Sequence, residues 1–143
     1  MSASDYLENK LVDHLFRGMA FTAPTHLWVS LHSADPGDTG ASELTGGNYG
    51  RVDAGASAYN IWKSTQNTAL NEASSGTNGQ TSNVNALTFP TANADWTTAT
   101  HFGLWDSQTT GNFIGGGALS APKTVQNGDT ASFAAGALTV TVS

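Results

Sequence analysis

The most constraining feature of the chain is a series of short apolar and aromatic segments in its last third. Residues 101–106 read His-Phe-Gly-Leu-Trp-Asp, and a second such segment covers residues 113–119. Between them lies Thr110-Gly111-Asn112, whose residue types favour a tight turn. Two apolar segments joined in this way predict an antiparallel hairpin.

The C-terminal residues extend the same pattern. Asn127-Gly128, the dipeptide best suited to a two-residue hairpin turn, separates residues 123–126 from residues 129–133 and predicts a second hairpin. Leu138 to Val142 then alternates apolar and polar residues, as a half-buried strand does. The chain is therefore expected to be mainly β.

Composition and charge narrow the class of protein. A chain of 143 residues suits one domain with a single core, and only 11% of its residues are charged. The net charge of −6 argues against a nucleic-acid partner, because phosphates are bound by clustered cations. The absence of cysteine excludes a disulfide framework and a thiolate metal site. We expect a neutral, polar surface that is suited to permanent protein contacts.

The N-terminal residues predict neither export nor membrane insertion. Residues 1–5 lack the basic segment of a secretory signal, and no run approaches the roughly 20 apolar residues that span a bilayer. We therefore expect a protein that is made and assembled in a cytoplasm, without a membrane partner.

One helix is predicted near the start of the chain. Ser4 or Asp5 can cap it, and Gly18 can end it. Its apolar stripe, at helical spacing, consists of Leu7, Leu11, His14 and Leu15. A helix of this length is marginal alone, so the stripe must dock on the β body or on a neighbouring subunit.

Residues 26–32 alternate in the manner of a strand. The face expected in the core carries Leu27, Val29 and Leu31. The face expected to be polar carries His26, Trp28, Ser30 and His32. The two histidines are about 20 Å apart along a strand and cannot share one metal ion.

The middle of the chain is richer in turn residues. Strands are predicted at Tyr49 to Val52, at Ala58 to Trp62 and at Val84 to Pro90. The segment from Lys63 to Ser82 is rich in Ser, Thr, Asn and Gly, and is predicted to be a long loop. The predicted organisation is an N-terminal helix or arm over residues 1–18 and one β-sandwich or jelly-roll-like domain over residues 19–143.

Five acidic residues are candidates for metal binding or catalysis. Asp35, Asp38 and Glu43 lie in one loop and could offer oxygen ligands to Ca²⁺, but they lack the spacing of an EF-hand, and a self-capping turn is the favoured interpretation. Asp95 and Asp106 could act as the carboxylate pair of a glycosidase, although aspartates are common in turns. We predict no catalytic residue, no metal and no cofactor.

Two segments resemble the opening of a family of small tailed-bacteriophage virion proteins: residues 6–14 (Tyr-Leu-Glu-Asn-Lys-Leu-Val-Asp-His) and residues 27–37 (Leu-Trp-Val-Ser-Leu-His-Ser-Ala-Asp-Pro-Gly). Residues 101–106 and the segments up to Val140 are similar to the closing hairpins of that family. The main departure is the long segment from Lys63 to Ser82. The resemblance implies a structural component of the phage particle, made in the cytoplasm of the host bacterium, and it carries over no catalytic residues.

Two functions follow as expectations from the composition and the resemblance together. The first is a capsid decoration (cement) protein, a homotrimer that binds the major capsid protein, with residues 1–5 and 63–82 as arms that become ordered on binding. The alternative is a tail-fibre protein that contacts a host-surface glycan through exposed aromatic side chains. The predicted interaction residues are Tyr6, Leu7, Leu11, Trp28, Trp62 and Trp105.

Overall fold

The computed structural model describes residues 1–56, 62 and 79–142. One helix, α1, covers Asp5–Phe16. The strands among the described residues are β1 (Ser2–Ala3), β2 (His26–His32), β3 (Val52–Ala56), β4 (Gln80–Ser82), β5 (Leu87–Thr88), β6 (Ala99–Trp105), β7 (Phe113–Lys123), β8 (Ser132–Phe133) and β9 (Thr139–Thr141). The protein is mainly β, with antiparallel strand pairs and an N-terminal helix, which confirms the predicted fold class.

The largest unit is a five-stranded sheet with the strand order β1-β7-β6-β2-β3. Its centre is the predicted hairpin, in which β6 pairs with β7 from Ala99↔Lys123 to Trp105↔Phe113. Strand β2 pairs with the other edge of β6, with Leu31 opposite Phe102 and Val29 opposite Leu104. Paired residues project to the same face, so these four apolar side chains form one side of the core.

Two ribbons of two strands each supply the other side of the core. Strand β4 pairs with β9, and β5 pairs with β8. Leu87, Phe89, Ala131, Leu138 and Val140 come from these ribbons and their flanks, and they are buried in one cluster with the large sheet. The arrangement is sandwich-like, and β9 confirms the strand predicted at the C-terminus.

The second predicted hairpin is wrong. Asn127 and Gly128 do form a turn, with Gly128 at φ +89° and a hydrogen bond from Asp129 N to Gln126 O. However, the flanking residues bond to other segments: Trp96 N donates to Val125 O, and Phe89 N donates to Ala131 O. These long-range bonds bury Val125 and Ala131 against the core, which a local hairpin would not do.

The predicted strands in the middle of the chain are displaced or shortened. The strand expected at Tyr49 to Val52 begins only at Val52 and continues as β3 to Ala56. Of the strand expected at Val84 to Pro90, only β5 is formed, while Asn83 makes an isolated bridge to Trp62. The rest of the predicted strand at Ala58 to Trp62, and the predicted loop from Lys63 up to residue 78, lie outside the described residues. The last part of that predicted loop is wrong, because Gln80–Ser82 form β4 and pair with β9.

The N-terminal residues belong to the β body and do not form a free arm. Strand β1 pairs with β7 through Ser2↔Gly116 and Ala3↔Gly115, and the amino group of Met1 donates to Thr141 O at 3.0 Å. Ser4 caps α1 by accepting from Leu7 N, as predicted, and its hydroxyl also donates to Phe113 O. Among the described residues, no helix is both long and apolar enough to cross a membrane.

The outer face of the five-stranded sheet is covered by the loop of residues 33–44. Pro36 and Gly40 of this loop are buried, and Leu44 N donates to Leu31 O. Gly40 has φ +75°, and a side chain there would overlap the rings of Trp105 and Phe113. The loop can therefore lie flat on these two aromatic rings only because residue 40 is glycine.

Candidate interaction surfaces

Beneath this loop, the outer face of the sheet contains a chain of buried polar groups. Ser30 and His32 were expected on the polar face of β2, and both are completely buried (0% exposed). Trp105 Nε1 donates to Ser30 Oγ at 2.9 Å, Ser30 Oγ lies 2.7 Å from His32 Nε2, and His32 Nδ1 lies 2.7 Å from Ala41 O. Because a carbonyl can only accept, Nδ1 carries the proton and Nε2 accepts from the serine. Each polar side-chain atom in this hydrogen-bonded series of Trp105, Ser30 and His32 then has a partner.

This arrangement keeps His32 neutral. Burial lowers the pKa of His32, and Arg51 and His101 lower it further, while the bond to Ala41 and the charge of Glu43 act in the opposite direction. Protonation at Nε2 would also turn the acceptor for the Ser30 hydroxyl into a donor. His32 is therefore a structural residue that ties the covering loop to β2.

Arg51 joins three segments next to this buried chain. Its Nη2 and Nε donate to the two carboxylate oxygens of Glu43 at 2.7 and 2.9 Å, and its Nη1 donates to the carbonyls of Ser107 and Thr110. The guanidinium also lies 3.6 Å from the ring centroid of Trp105. Only 8% of the Arg51 side chain and 19% of the Glu43 side chain are exposed. The ion pair thus fixes the covering loop and the β6–β7 turn to β3.

Tyr49 completes the same cluster. Its hydroxyl donates to Glu43 Oε1 at 3.1 Å and accepts from Leu31 N at 2.9 Å. Burial raises the pKa of Tyr49, so the phenol stays protonated. Its ring packs edge-on against Trp96 and is stacked on Phe89. Glu43 is therefore bound by Arg51 and Tyr49 and is not free to bind a cation.

Three of the other four acidic candidates, Asp35, Asp95 and Asp106, stabilise turns, and the fourth, Asp38, is exposed. Asp35 Oδ1 accepts from Gly37 N at 3.0 Å, which supports the self-capping interpretation of that loop. Asp106 accepts from both the backbone and the side chain of Asn112, and Asp95 accepts from Asn127 N. In the described part of the chain, no three His, Asp or Glu side chains are grouped as a metal site.

The three tryptophans predicted as contact residues differ in exposure. Trp105 is only 8% exposed and lies under Arg51, so its ring is not offered to a ligand. Trp62 is half-buried and packs against the core. Trp28 is half-buried on the interior strand β2, 6.4 Å from the ring of His26, and His26 bonds to Asp53 at 2.9 Å. Trp28 therefore lies in a group of partly exposed polar side chains.

The predicted apolar stripe of α1 is only partly correct. Leu7 is buried in the core, and Tyr6 and Leu11 pack partly against it, so this part of the helix docks on its own β body. Leu15, in contrast, is 68% exposed. It lies next to three further exposed apolar side chains that the prediction missed: Val12, Phe16 and Met19. The spacing of Val12, Leu15, Phe16 and Met19 at i, i+3, i+4 and i+7 is the signal that could have identified them.

The fold is a mainly β body in which the nearly buried ion pair of Arg51 and Glu43 holds loops in place. The family model described as "Podophage GP4 fiber I protein gp80" matches residues 2–141, and the chain belongs to this family. The search of curated proteins found no similar sequence. The match confirms the resemblance to phage virion structural proteins, and its description names a fibre protein.

Proposed function

We propose that this protein is a structural component of a fibre on the tail of a podophage particle and that it acts by binding other proteins, without a catalytic step. The family match over residues 2–141 is the observation that carries the proposal, because it covers nearly the whole chain. The buried ion pair and the covered outer face support it, since they give a rigid module that can be presented repeatedly on a particle.

A capsid decoration protein that binds the major capsid protein is the second candidate. It is favoured by the low charge, because only 11% of the residues are charged and a neutral surface rich in Thr and Asn can form many short hydrogen bonds to a protein lattice. Residues 1–4, which were expected to act as an arm in this role, are bound into the β body and do not support it.

The two candidates differ in copy number. Quantitative mass spectrometry of purified particles, with the major capsid protein as the internal standard, measures this number. A fibre protein is expected far below the major capsid protein in molar amount, at a small multiple of the tail symmetry. A copy number close to that of the major capsid protein would instead favour the decoration protein.

For the tail location we further propose that Trp28 contacts a glycan of the host surface. Its half-buried ring lies beside His26 and Asp53, whose side chains are 48% and 39% exposed and could bond to sugar hydroxyls. The test is binding of the purified protein to a glycan array. Trp28→Ala should abolish binding, while Trp28→Phe should retain most of it because a stacking ring remains. Equal binding by wild type and Trp28→Ala would remove Trp28 from the contact.

A further inference from the structure

The C-terminal half of α1 presents an apolar surface to solvent. Its members, which we call the α1 stripe, are Val12 (51% exposed), Leu15 (68%), Phe16 (81%) and Met19 (53%). Met19 follows the helix but is held against its end, because its N–H donates to Asp13 O and its carbonyl bonds to His14 Nδ1, both at 3.1 Å. Val12, Leu15 and Phe16 lie on one face of α1 at i, i+3 and i+4, which is the spacing with which a helix binds in a groove.

The same chain contains an apolar groove between β7 and the β5–β8 ribbon, which we call the β7–β8 groove. Its volume is about 600 Å³. The floor and walls are formed by Leu31, Phe89, Phe102, Leu119, Phe133 and Leu138. The polar side chains that line it, Ser120, Lys123, Ser132 and Thr139, are all exposed and therefore lie at the rim. A groove with an apolar floor and a polar rim can accept a row of apolar side chains from a helix.

We propose that the α1 stripe of one copy of this chain binds in the β7–β8 groove of a second copy. Charge supports this pairing as well as polarity. Glu8 lies one helical turn before Val12 on the same side of α1, and it is exposed. Lys123 is the cationic side chain at the rim of the groove. In the complex, Glu8 of one copy pairs with Lys123 of the next.

The contact is heterologous, because each copy offers one stripe and one groove. A contact of this kind closes into a ring or continues as an open filament. The inference goes beyond the proposed function, since it concerns binding between copies and is independent of the place that the protein takes on the particle.

Light scattering during size-exclusion chromatography of the full chain tests the proposal. The wild type should elute as an oligomer. Phe16→Asp should weaken association by more than about tenfold and give a monomer, because a charge replaces the most exposed ring of the stripe. Val142→Asp is the matched control, because Val142 is also an exposed apolar residue (52%) but lies outside the stripe, and it should stay oligomeric. A wild type that remains monomeric at its highest soluble concentration overturns the proposal.

A mixing experiment identifies the groove as the binding site. Ala134→Arg blocks the rim of the groove without touching the stripe, since Ala134 is exposed and lines it. This variant should be monomeric alone, and a mixture with Phe16→Asp should give a one-to-one heterodimer, because each variant retains the half that the other lacks. If Ala134→Arg alone stays oligomeric, the stripes bind each other and the groove is not their site. Circular dichroism checks that each variant is folded.

Charge reversal gives an independent readout. Glu8→Lys and Lys123→Glu should each weaken association by a few-fold, and the two substitutions in one chain should restore it, because the pair is then inverted. Failure of the double variant to recover would exclude the Glu8–Lys123 pairing and the orientation of the helix that it requires.

Discussion

At the scale of single residues, the arginine at position 51 illustrates how this lightly charged chain uses its ionic groups. Three segments meet at its guanidinium: the loop of residues 33–44 through Glu43, the β6–β7 turn through two carbonyls, and Trp105 through its ring. Such a group is bidentate, delocalised and weakly hydrated, so lysine could not replace it. The sequence could not identify this pair, because Glu43 was expected in a loop and Arg51 in a strand, and no local pattern brings the two together.

Removal of Arg51 is therefore expected to be costly. Arg51→Ala leaves the carboxylate of Glu43 buried without its cation and should lower the free energy of unfolding by about 3 kcal/mol. The control is Arg17→Ala, whose partner is Asp13 on an exposed helix surface and whose side chain is 66% exposed; its effect should be below about 0.5 kcal/mol. Urea unfolding followed by tryptophan fluorescence measures both. Equal losses in the two variants would contradict the structural role assigned to Arg51.

His32 should make stability depend on pH. Its folded-state pKa is lowered by burial, while in the unfolded chain a histidine titrates near 6.5. Below that pH the unfolded state binds more protons, so the free energy of unfolding falls from about pH 6.5 downwards until the lower folded-state pKa is reached. Unfolding at pH 7.5 and at pH 5.5 measures this loss. His32→Gln should be less stable at both values but show a smaller difference between them.

The control for this pH dependence is Leu15→Ser, because the Leu15 side chain is 68% exposed and carries no titratable group. Leu15→Ser should retain the pH dependence of the wild type. If His32→Gln retains it as well, the acid sensitivity comes from other groups, and the neutral hydrogen-bonded state deduced for His32 is wrong.

At the scale of secondary-structure elements, local sequence patterns correctly predicted those elements that are formed by local contacts. The helix cap at Ser4, the β6–β7 hairpin and the strand at the C-terminus depend on turn residues and on periodicity within a few positions, and all three are present. The turn at Asn127-Gly128 also forms, but its flanks pair with residues about 30 to 40 positions away, where Trp96, Ala92 and Phe89 lie. Burial of Val125 and Ala131 in the core outweighs the local preference for a hairpin.

The strand pattern also failed to show that β2 is covered on both sides. Alternation placed Val29 and Leu31 in the core correctly, but it assigned Ser30 and His32 to a polar face. The loop of residues 33–44 folds back over the opposite face of β2 and buries both side chains. The alternation of residues within β2 contains no information about such a loop. The backbone of Gly103 lies close to these two side chains, because an added Cβ would lie 2.6 Å from both His32 Nε2 and Ser30 Oγ. The glycine in the middle of an apolar strand was the available signal that this face is filled.

At the scale of the whole molecule, the two ends of the chain close the β body together. The amino group of Met1 bonds to Thr141 O, β1 extends the sheet beyond β7, and α1 places Leu7 in the core. The first half of the N-terminal helix therefore packs in the domain, whereas its second half carries exposed side chains of the α1 stripe. The predicted boundary at residue 18, between the N-terminal helix or arm and the β-sandwich domain, follows a helix whose first half packs in the domain core.

This division predicts the result of an N-terminal deletion. Removal of residues 1–17 takes away an edge strand, the buried hydroxyl of Ser4 and the side chain of Leu7, and it exposes the edge of β7 at Gly115 and Gly116. The truncated chain should therefore lose at least about 3 kcal/mol of stability and become prone to aggregation, because an unpaired edge strand and an uncovered core are both exposed. Thermal unfolding by circular dichroism, with the free edge tested by light scattering, measures this change.

The control is a full-length chain with Leu15→Ser and Phe16→Ser. These side chains are 68% and 81% exposed, so their replacement removes apolar surface without touching the core, and the unfolding temperature should stay close to that of the wild type. If the truncated protein instead unfolds as the wild type does, α1 is an independent arm and the contacts of Leu7 and Ser4 contribute nothing to the domain. A truncated protein could fail to bind its partner because it has lost the α1 stripe or because it no longer folds. A binding assay alone does not distinguish these two causes, whereas the unfolding measurement does.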